Sequence, residues 1–126
     1  MWTWKQSTGE LFRDGAFVAK GYSGHDWGKN NPAAELAPGI GPIPAGRWRL
    51  VSVADSPQTG PFTITLHAED ATPGDDTDDR TGRGAFRIHG DAIAHPGEAS
   101  HGCIILPRTV RGLMWNSGDH ELEVVA

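Results

Sequence analysis

Cys103 is the only cysteine of the chain, and it sits in the run Ala99-Ser100-His101-Gly102-Cys103-Ile104-Ile105-Leu106-Pro107. Upstream lies Phe86-Arg87-Ile88-His89-Gly90-Asp91, so a second glycine-flanked histidine precedes the cysteine by one loop. A thiol is a weak nucleophile until it is deprotonated, with a free pKa of about 8.5. An imidazole can take that proton once a third group fixes which ring nitrogen is free. His89 is the candidate base for Cys103, and the Gly90 carbonyl is the candidate that holds its ring. Ser100-His101-Gly102-Cys103 forms a tight turn in which successive N–H groups can point at one spot, as acyl transfer requires of an oxyanion site. Gly102 there allows a positive φ or close approach of a substrate backbone.

Two other readings of these residues exist. A lone cysteine is often a small buried hydrophobe, and Ile104-Ile105-Leu106 beside it fits that. His89, Asp91, His95, His101 and Cys103 are all potential zinc ligands, but their spacing matches neither paired CxxC motifs nor a helical HExxH. The setting in a Ser-His-Gly-Cys turn favours a catalytic thiol, with no metal and no cofactor.

The elements that must position this pair are short strands. In Ala85 to His89, Phe86 and Ile88 point to one face and Arg87 and His89 to the other, which takes His89 off the core face. After the cysteine, Pro107 opens a short helix in which Val110, Leu113 and Met114 have the spacing of a buried stripe, and Asn116-Ser117-Gly118 ends it. His120 to Val125 reads as a last strand, with Leu122 and Val124 on one face. Earlier, Trp2 and Trp4 share a strand face, and Asp14-Gly15 between Leu11-Phe12 and Phe17-Val18 predicts a hairpin. A strand from Arg47 to Ala54 follows Gly41-Pro42-Ile43-Pro44-Ala45-Gly46. Phe62, Ile64 and Leu66 alternate with polar residues.

Two stretches lack periodicity. Gly21 to Gly46 holds Tyr22, His25, Trp27 and several asparagines, and reads equally as a binding surface or as a structural Ω-type loop. The acidic loop from Glu69 to Arg80 lacks the ligand order and closing Glu of a calcium loop, and reads as solvated.

The 126 residues suit one domain, 1–126, with 17 glycines and 9 prolines favouring strands and turns over a helical bundle. A formal charge of −5 argues against nucleic acid or an anionic membrane as partner. A single cysteine makes no internal disulfide, and no apolar run approaches the roughly 20 residues of a membrane span. Met1-Trp2-Thr3-Trp4-Lys5-Gln6 lacks the apolar core of a secretory signal, so the expectation is synthesis in the cytoplasm without a signal peptide.

His-Gly followed by Ser-His-Gly-Cys-Ile, after the upstream Gly-Pro-Ile-Pro-Ala-Gly, resembles the YkuD-type L,D-transpeptidases of bacterial cell walls over roughly Gly41 to Leu106. Tyr22-Ser23-Gly24 and Gly28-Lys29-Asn30-Asn31-Pro32 look like the small branch deployed as type VI secretion effectors. The resemblance implies a mostly-β, single-domain β-sandwich with one short helix after the cysteine. It also implies a thiolate that attacks peptidoglycan tetrapeptide stems before the terminal D-Ala, leaving a thioester on Cys103. By motif position, Cys103 is the nucleophile, His89 the base, Gly90 its orienter, and the Gly102 and Cys103 N–H groups the oxyanion donors. Ser100 and His101 shape the turn.

This chain has Ile105 where mainstream members carry Arg or Asn. Substrate recognition is therefore expected from Arg87, Lys29 or Tyr22, and from the Tyr22 to Pro32 loop with Asn30 and Asn31. The effector likeness implies delivery into a rival's periplasm, with an immunity protein and a secretion-machine component as partners. The other function classes are a zinc-dependent peptidoglycan peptidase and a non-catalytic wall- or partner-binding module.

Overall fold

The computed structural model describes residues 1–72 and 74–126. Nine strands make one open mixed sheet: β1 (Trp2–Lys5), β2 (Glu10–Arg13), β3 (Ala16–Lys20), β4 (Tyr22–Ser23), β5 (Gly46–Ser56), β6 (Gly60–Ala68), β7 (Arg87–His89), β8 (Ile104–Ile105) and β9 (Glu121–Val125). One helix, α1 (Arg108–Asn116), follows β8. The strand order is β3-β2-β1-β9-β5-β6-β7-β8-β4. Among the described residues, only β1 with β9 and β7 with β8 pair in parallel. The expected mostly-β class with one helix after the cysteine is therefore what the chain adopts. No helix among the described residues is long and apolar enough to cross a membrane.

Local chemistry explains most of these elements. Asp14 and Gly15 both have positive φ (48° and 84°), so Arg13 and Ala16 close a two-residue hairpin of the kind their sequence predicts. Trp2 and Trp4 face one way and are fully buried, as are Trp48, Leu50, Ile64, Leu66, Ile88 and Ile104. Each Leu or Ile so buried contributes roughly 1.5–3 kcal/mol relative to exposure. Trp48 meets the Phe86 ring edge-on at 5.2 Å, which ties β5 to the residue just before β7.

Three expectations need adjustment. Phe62 departs from the clean alternation: it is only half-buried and has a φ of 53°, next to irregular pairing between β5 and β6. Leu113 is 52 % exposed rather than part of the helix stripe. In its place Arg111, only 3 % exposed, turns to the carbonyls of Pro61 and Phe62 on β6, and that rotation carries Leu113 outward. The Glu69 to Arg80 loop is built of aspartates accepting from nearby backbone, as Asp70 does from Thr72 and Asp79. Asp78 is buried and accepts from Thr81. Residue 73 of that loop lies outside the described residues.

The Gly21 to Gly46 segment is a packed piece of the fold. It carries β4 and two single 3-10 turns, Asp26–Gly28 and Pro32–Ala34. Asn30 pairs with both backbone groups of Ser23, and Asn31 caps the second turn through Ala33 while donating to the Trp27 carbonyl.

The two N-terminal tryptophans differ in one respect. Trp2 Nε1 donates to the Asp119 carbonyl at 2.8 Å, whereas the buried Trp4 Nε1 has no hydrogen-bond partner among the described residues. An unmade buried hydrogen bond already carries its desolvation cost. Trp4→Phe is therefore expected to destabilise less than Trp2→Phe, by about 1 kcal/mol, in urea titrations. Equal losses would contradict this account.

Candidate active site

The parallel register of β7 and β8 aligns Ile88 with Ile104 and His89 with Ile105. Ile88 and Ile104 face the core, so the residues on either side of them face the opposite way. Cys103, immediately before β8, is thereby on the same face as His89, one strand over and two positions back. Diagonal neighbours of this sort lie within reach of long side chains. Both residues line one cleft of about 1010 Å³. Strand alternation did take His89 off the core face, yet it is only 5 % exposed.

The His89 ring is fixed from below. Its Nδ1 lies 2.9 Å from the Gly90 carbonyl, and a carbonyl can only accept, so Nδ1 carries the hydrogen. The Nε2 lone pair is left for a proton, and no side chain or backbone group among the described residues bonds to it. Burial pushes the imidazole pKa down, with the nearby Arg111 and Arg87 charges acting in the same direction.

The thiol sits in a different balance. Cys103 is partly buried, and its Sγ is 3.9 Å from the Ala85 carbonyl, to which the thiol donates in place of His89. Ala85 holds a left-handed φ of 62°, a costly conformation for a residue with a Cβ. Burial raises the thiol pKa, while the Arg87 backbone N–H and the Arg87 and Arg83 charges favour the thiolate and offset part of the shift. Arg87 thus stands beside the sulfur, and its guanidinium shares the Ala85 carbonyl. A raised thiol beside a depressed imidazole is a neutral pair at rest.

Ser100 and Ser23, both fully buried, build the turn. Ser100 Oγ donates to the Cys103 carbonyl at 2.6 Å and accepts from the N–H groups of Gly24 and Gly102 at 2.9 and 3.0 Å. Ser23 Oγ donates to the Gly102 carbonyl at 2.8 Å and accepts from Ile43 N–H. Gly102 has a φ of 136°, and a Cβ there would come within 2.7 Å of Arg83 and Phe86. Only glycine fits. Its N–H is already engaged by Ser100, so of the two expected oxyanion donors the Cys103 N–H is the one without a protein partner among the described residues.

The His101 ring lies tilted against that of His25, with centres 4.8 Å apart, and His101, with Cys103, lines both the large cleft and a smaller one of about 390 Å³. Arg83 lies in the wall of the smaller cleft. It is buried and donates to the carbonyls of Glu35, Gly41 and Pro42.

The residues expected to read substrate are placed differently. Tyr22, Lys29, Asn30, Asn31 and Arg87 line neither cleft. Tyr22 OH donates to Asp91 at 2.6 Å and accepts from Ala99 N–H, Lys29 lies 4.7 Å from the Tyr22 ring centre, and both asparagines are spent on the loop. Burial and the Asp91 bond push the Tyr22 phenol up to about 12. These side chains brace the walls. Arg83, Arg108 and Arg111 line the clefts instead, and sequence reading passed over all three. The signal for two of them was present: arginines in the first turn of a helix, where the dipole disfavours cations. The five potential zinc ligands do not gather, and no metal-binding cluster exists among the described residues.

Residues 18–125 match the family model of the Tlde1 domain. The chain belongs to the Tlde1 domain family. This is a family of type VI, L,D-transpeptidase-like effectors, related to peptidoglycan enzymes. Searches of curated proteins and of solved structures find no match. The Tlde1 match covers the Cys103 turn, the His89 strand and the bracing loop alike, so the likeness is not confined to the short motif.

Two measurements check this geometry. Ultraviolet titration of the thiolate should give a midpoint above the roughly 8.5 of free cysteine; a midpoint near neutrality would mean a resting ion pair. Both shifts favour neutral forms, so the pair's contribution to stability falls below about pH 6.5, as unfolded His89 protonates, and above about pH 8.5, as unfolded Cys103 ionises. Ser100→Ala removes three buried hydrogen bonds and is expected to cost about 2–3 kcal/mol in chemical denaturation. A loss under 0.5 kcal/mol, on the order of a surface substitution, would show that the turn does not rest on this hydroxyl.

Proposed function

We propose that the whole chain acts as one catalytic domain, a cysteine-dependent L,D-transpeptidase or L,D-carboxypeptidase of peptidoglycan tetrapeptide stems. The observation that carries this reading is the pairing of a partly buried thiol with a ring whose Nε2 is left free, on one face and in one cleft. In the proposed reaction, His89 Nε2 takes the Cys103 proton as the sulfur attacks the carbonyl that follows the L-centre of diaminopimelate. The Cys103 N–H faces the developing oxyanion, aided by the positive field of Arg83 and Arg87. Collapse breaks the C–N bond, and the D-Ala amine leaves with the proton held on His89. A thioester remains on Cys103.

The fate of that thioester depends on what enters the cleft. Water gives D-Ala removal, a free D-amino acid gives exchange, and a second stem amine gives a cross-link. Family membership supports a role as an antibacterial effector acting in a rival's periplasm. An immunity protein covering the cleft then protects the producer.

Incubating the purified chain with disaccharide-tetrapeptide should release D-Ala, or exchange it with added D-amino acid, as read by mass spectrometry. Cys103→Ala and His89→Ala should each lower turnover by about a thousandfold or more. Intact tetrapeptide with unmodified Cys103 in the wild type would sink the reading. Toxicity on cytosolic but not periplasmic expression would count against the effector role.

A further inference from the structure

The cleft shared by His89 and Cys103 runs to the first turn of α1, where Arg108 and Arg111 form part of its wall. Arg111 is buried and donates to three carbonyl oxygens: Phe62 through Nε at 3.0 Å, Leu106 through Nη1 at 2.5 Å and Pro61 through Nη2 at 3.1 Å. No carboxylate lies within 4.0 Å of it among the described residues, although a guanidinium has N–H groups to spare. Arg108 is exposed, lies 3.7 Å from the centre of the Phe62 ring, and likewise has no acidic partner.

The three carbonyls tie Arg111 into the fold but supply no counter-charge. Buried cations are ordinarily paired with an anion. Here two guanidinium groups stand close enough that Arg108, after burial itself, depresses the Arg111 pKa. Both also sit in the first turn of α1, where the helix dipole favours anions and no acidic side chain is present. Asp91, the one carboxylate lining the same cleft, is occupied by Tyr22 OH and the N–H groups of Ala92 and Gly97. Neither guanidinium therefore has an acidic partner among the described residues.

We infer that Arg108 and Arg111 bind the α-carboxylate of the single residue that leaves when Cys103 is acylated. The inference rests on the proposed acyl-transfer reading and adds which end of the substrate is recognised, and by what. Direction comes from His89. It lines this cleft and not the smaller one, and the group that protonates the departing amine must stand on that amine's side. Reach comes from Gly90. A Cβ there would lie 3.1 Å from Arg111 Nη1, so the guanidinium is next to the residue that orients the base. A free D-amino acid entering as acceptor places its carboxylate on the same pair. The arrangement requires a free C-terminus one residue beyond the attacked bond.

The test compares disaccharide-tetrapeptide ending in D-Ala with the same molecule ending in D-alaninamide, using the full chain and mass spectrometry. Wild type is expected to prefer the acid by about tenfold or more in kcat/KM. Arg108→Ala, an exposed position whose loss does not open the core, should bring that preference to within about threefold, while Arg108→Lys keeps part of it. D-alanine should likewise outcompete D-alaninamide as exchange acceptor. Equal use of acid and amide by the wild type, or an unchanged ratio in Arg108→Ala, overturns this inference and leaves the Cys103 reading standing. Turnover of neither substrate, with Cys103 unacylated, overturns both.

Discussion

The rest of the site depends on the parallel pairing of β7 with β8. A parallel ladder fixes which residues lie side by side, and a one-residue slip would send every side chain to the other face. With Ile88 opposite Ile104 in the core, His89 and the residue before β8 are obliged to share the outer face. The pairing is short, so it is held from outside. Tyr22 and Ser23 of β4 pair along the other edge of β8, and Leu106 N–H continues the ladder to the His89 carbonyl. Arg111 fastens the end of β8 to β6 through the Leu106, Pro61 and Phe62 carbonyls.

Electrostatics around the pair are asymmetric in a useful way. Three arginines stand near the thiol and imidazole, and none of Arg83, Arg87 and Arg111 has a carboxylate within salt-bridge distance among the described residues. Burial alone would keep the sulfur protonated, and the Arg87 and Arg83 charges offset part of that shift. Arg111 and Arg87 also discourage an imidazolium at rest. The resting site thus favours a neutral pair over a standing ion pair, and in the proposed reaction the same cations lower the cost of charge on the oxyanion.

How much of this could be read from the sequence follows from the range of each interaction. Period-two alternation correctly separated Ile88 from His89, and the Asp14-Gly15 hairpin and the helix after Pro107 are local signals that the fold keeps. The proximity of Gly90 to the His89 ring is also local, being one residue away. What Arg83 and Arg111 bond to was illegible for the opposite reason. Their partners, Gly41 and Pro42 in one case and Pro61 and Phe62 in the other, are distant carbonyls that leave no trace in side-chain pattern. Leu113 misled because a nine-residue helix offers too few turns for hydrophobic spacing to overrule one buried guanidinium.

The Tyr22 to Pro32 loop shows the same limit from the other side. Aromatic and amide side chains in a glycine-rich segment suggest a recognition surface, because they can bind. Here the capacity of Tyr22, Asn30 and Asn31 is spent within the protein, while Trp27 stays exposed. Ser23 holds the Gly102 carbonyl, Gly24 N–H bonds Ser100, and Tyr22 joins Asp91 to Ala99 across the loop between β7 and β8. The residue two positions after the cysteine fits this division of labour. Ile105 is buried beside β4, where an Arg or Asn would bring an unpaired polar group. Recognition must then come from the cleft walls beyond the bracing, and the charged side chains that remain there are Arg83, Arg108 and Arg111. Under the proposed reaction, walls carrying cations with no acidic partner among the described residues favour the anionic end of a substrate, which makes recognition electrostatic where a neutral, aromatic surface would make it steric.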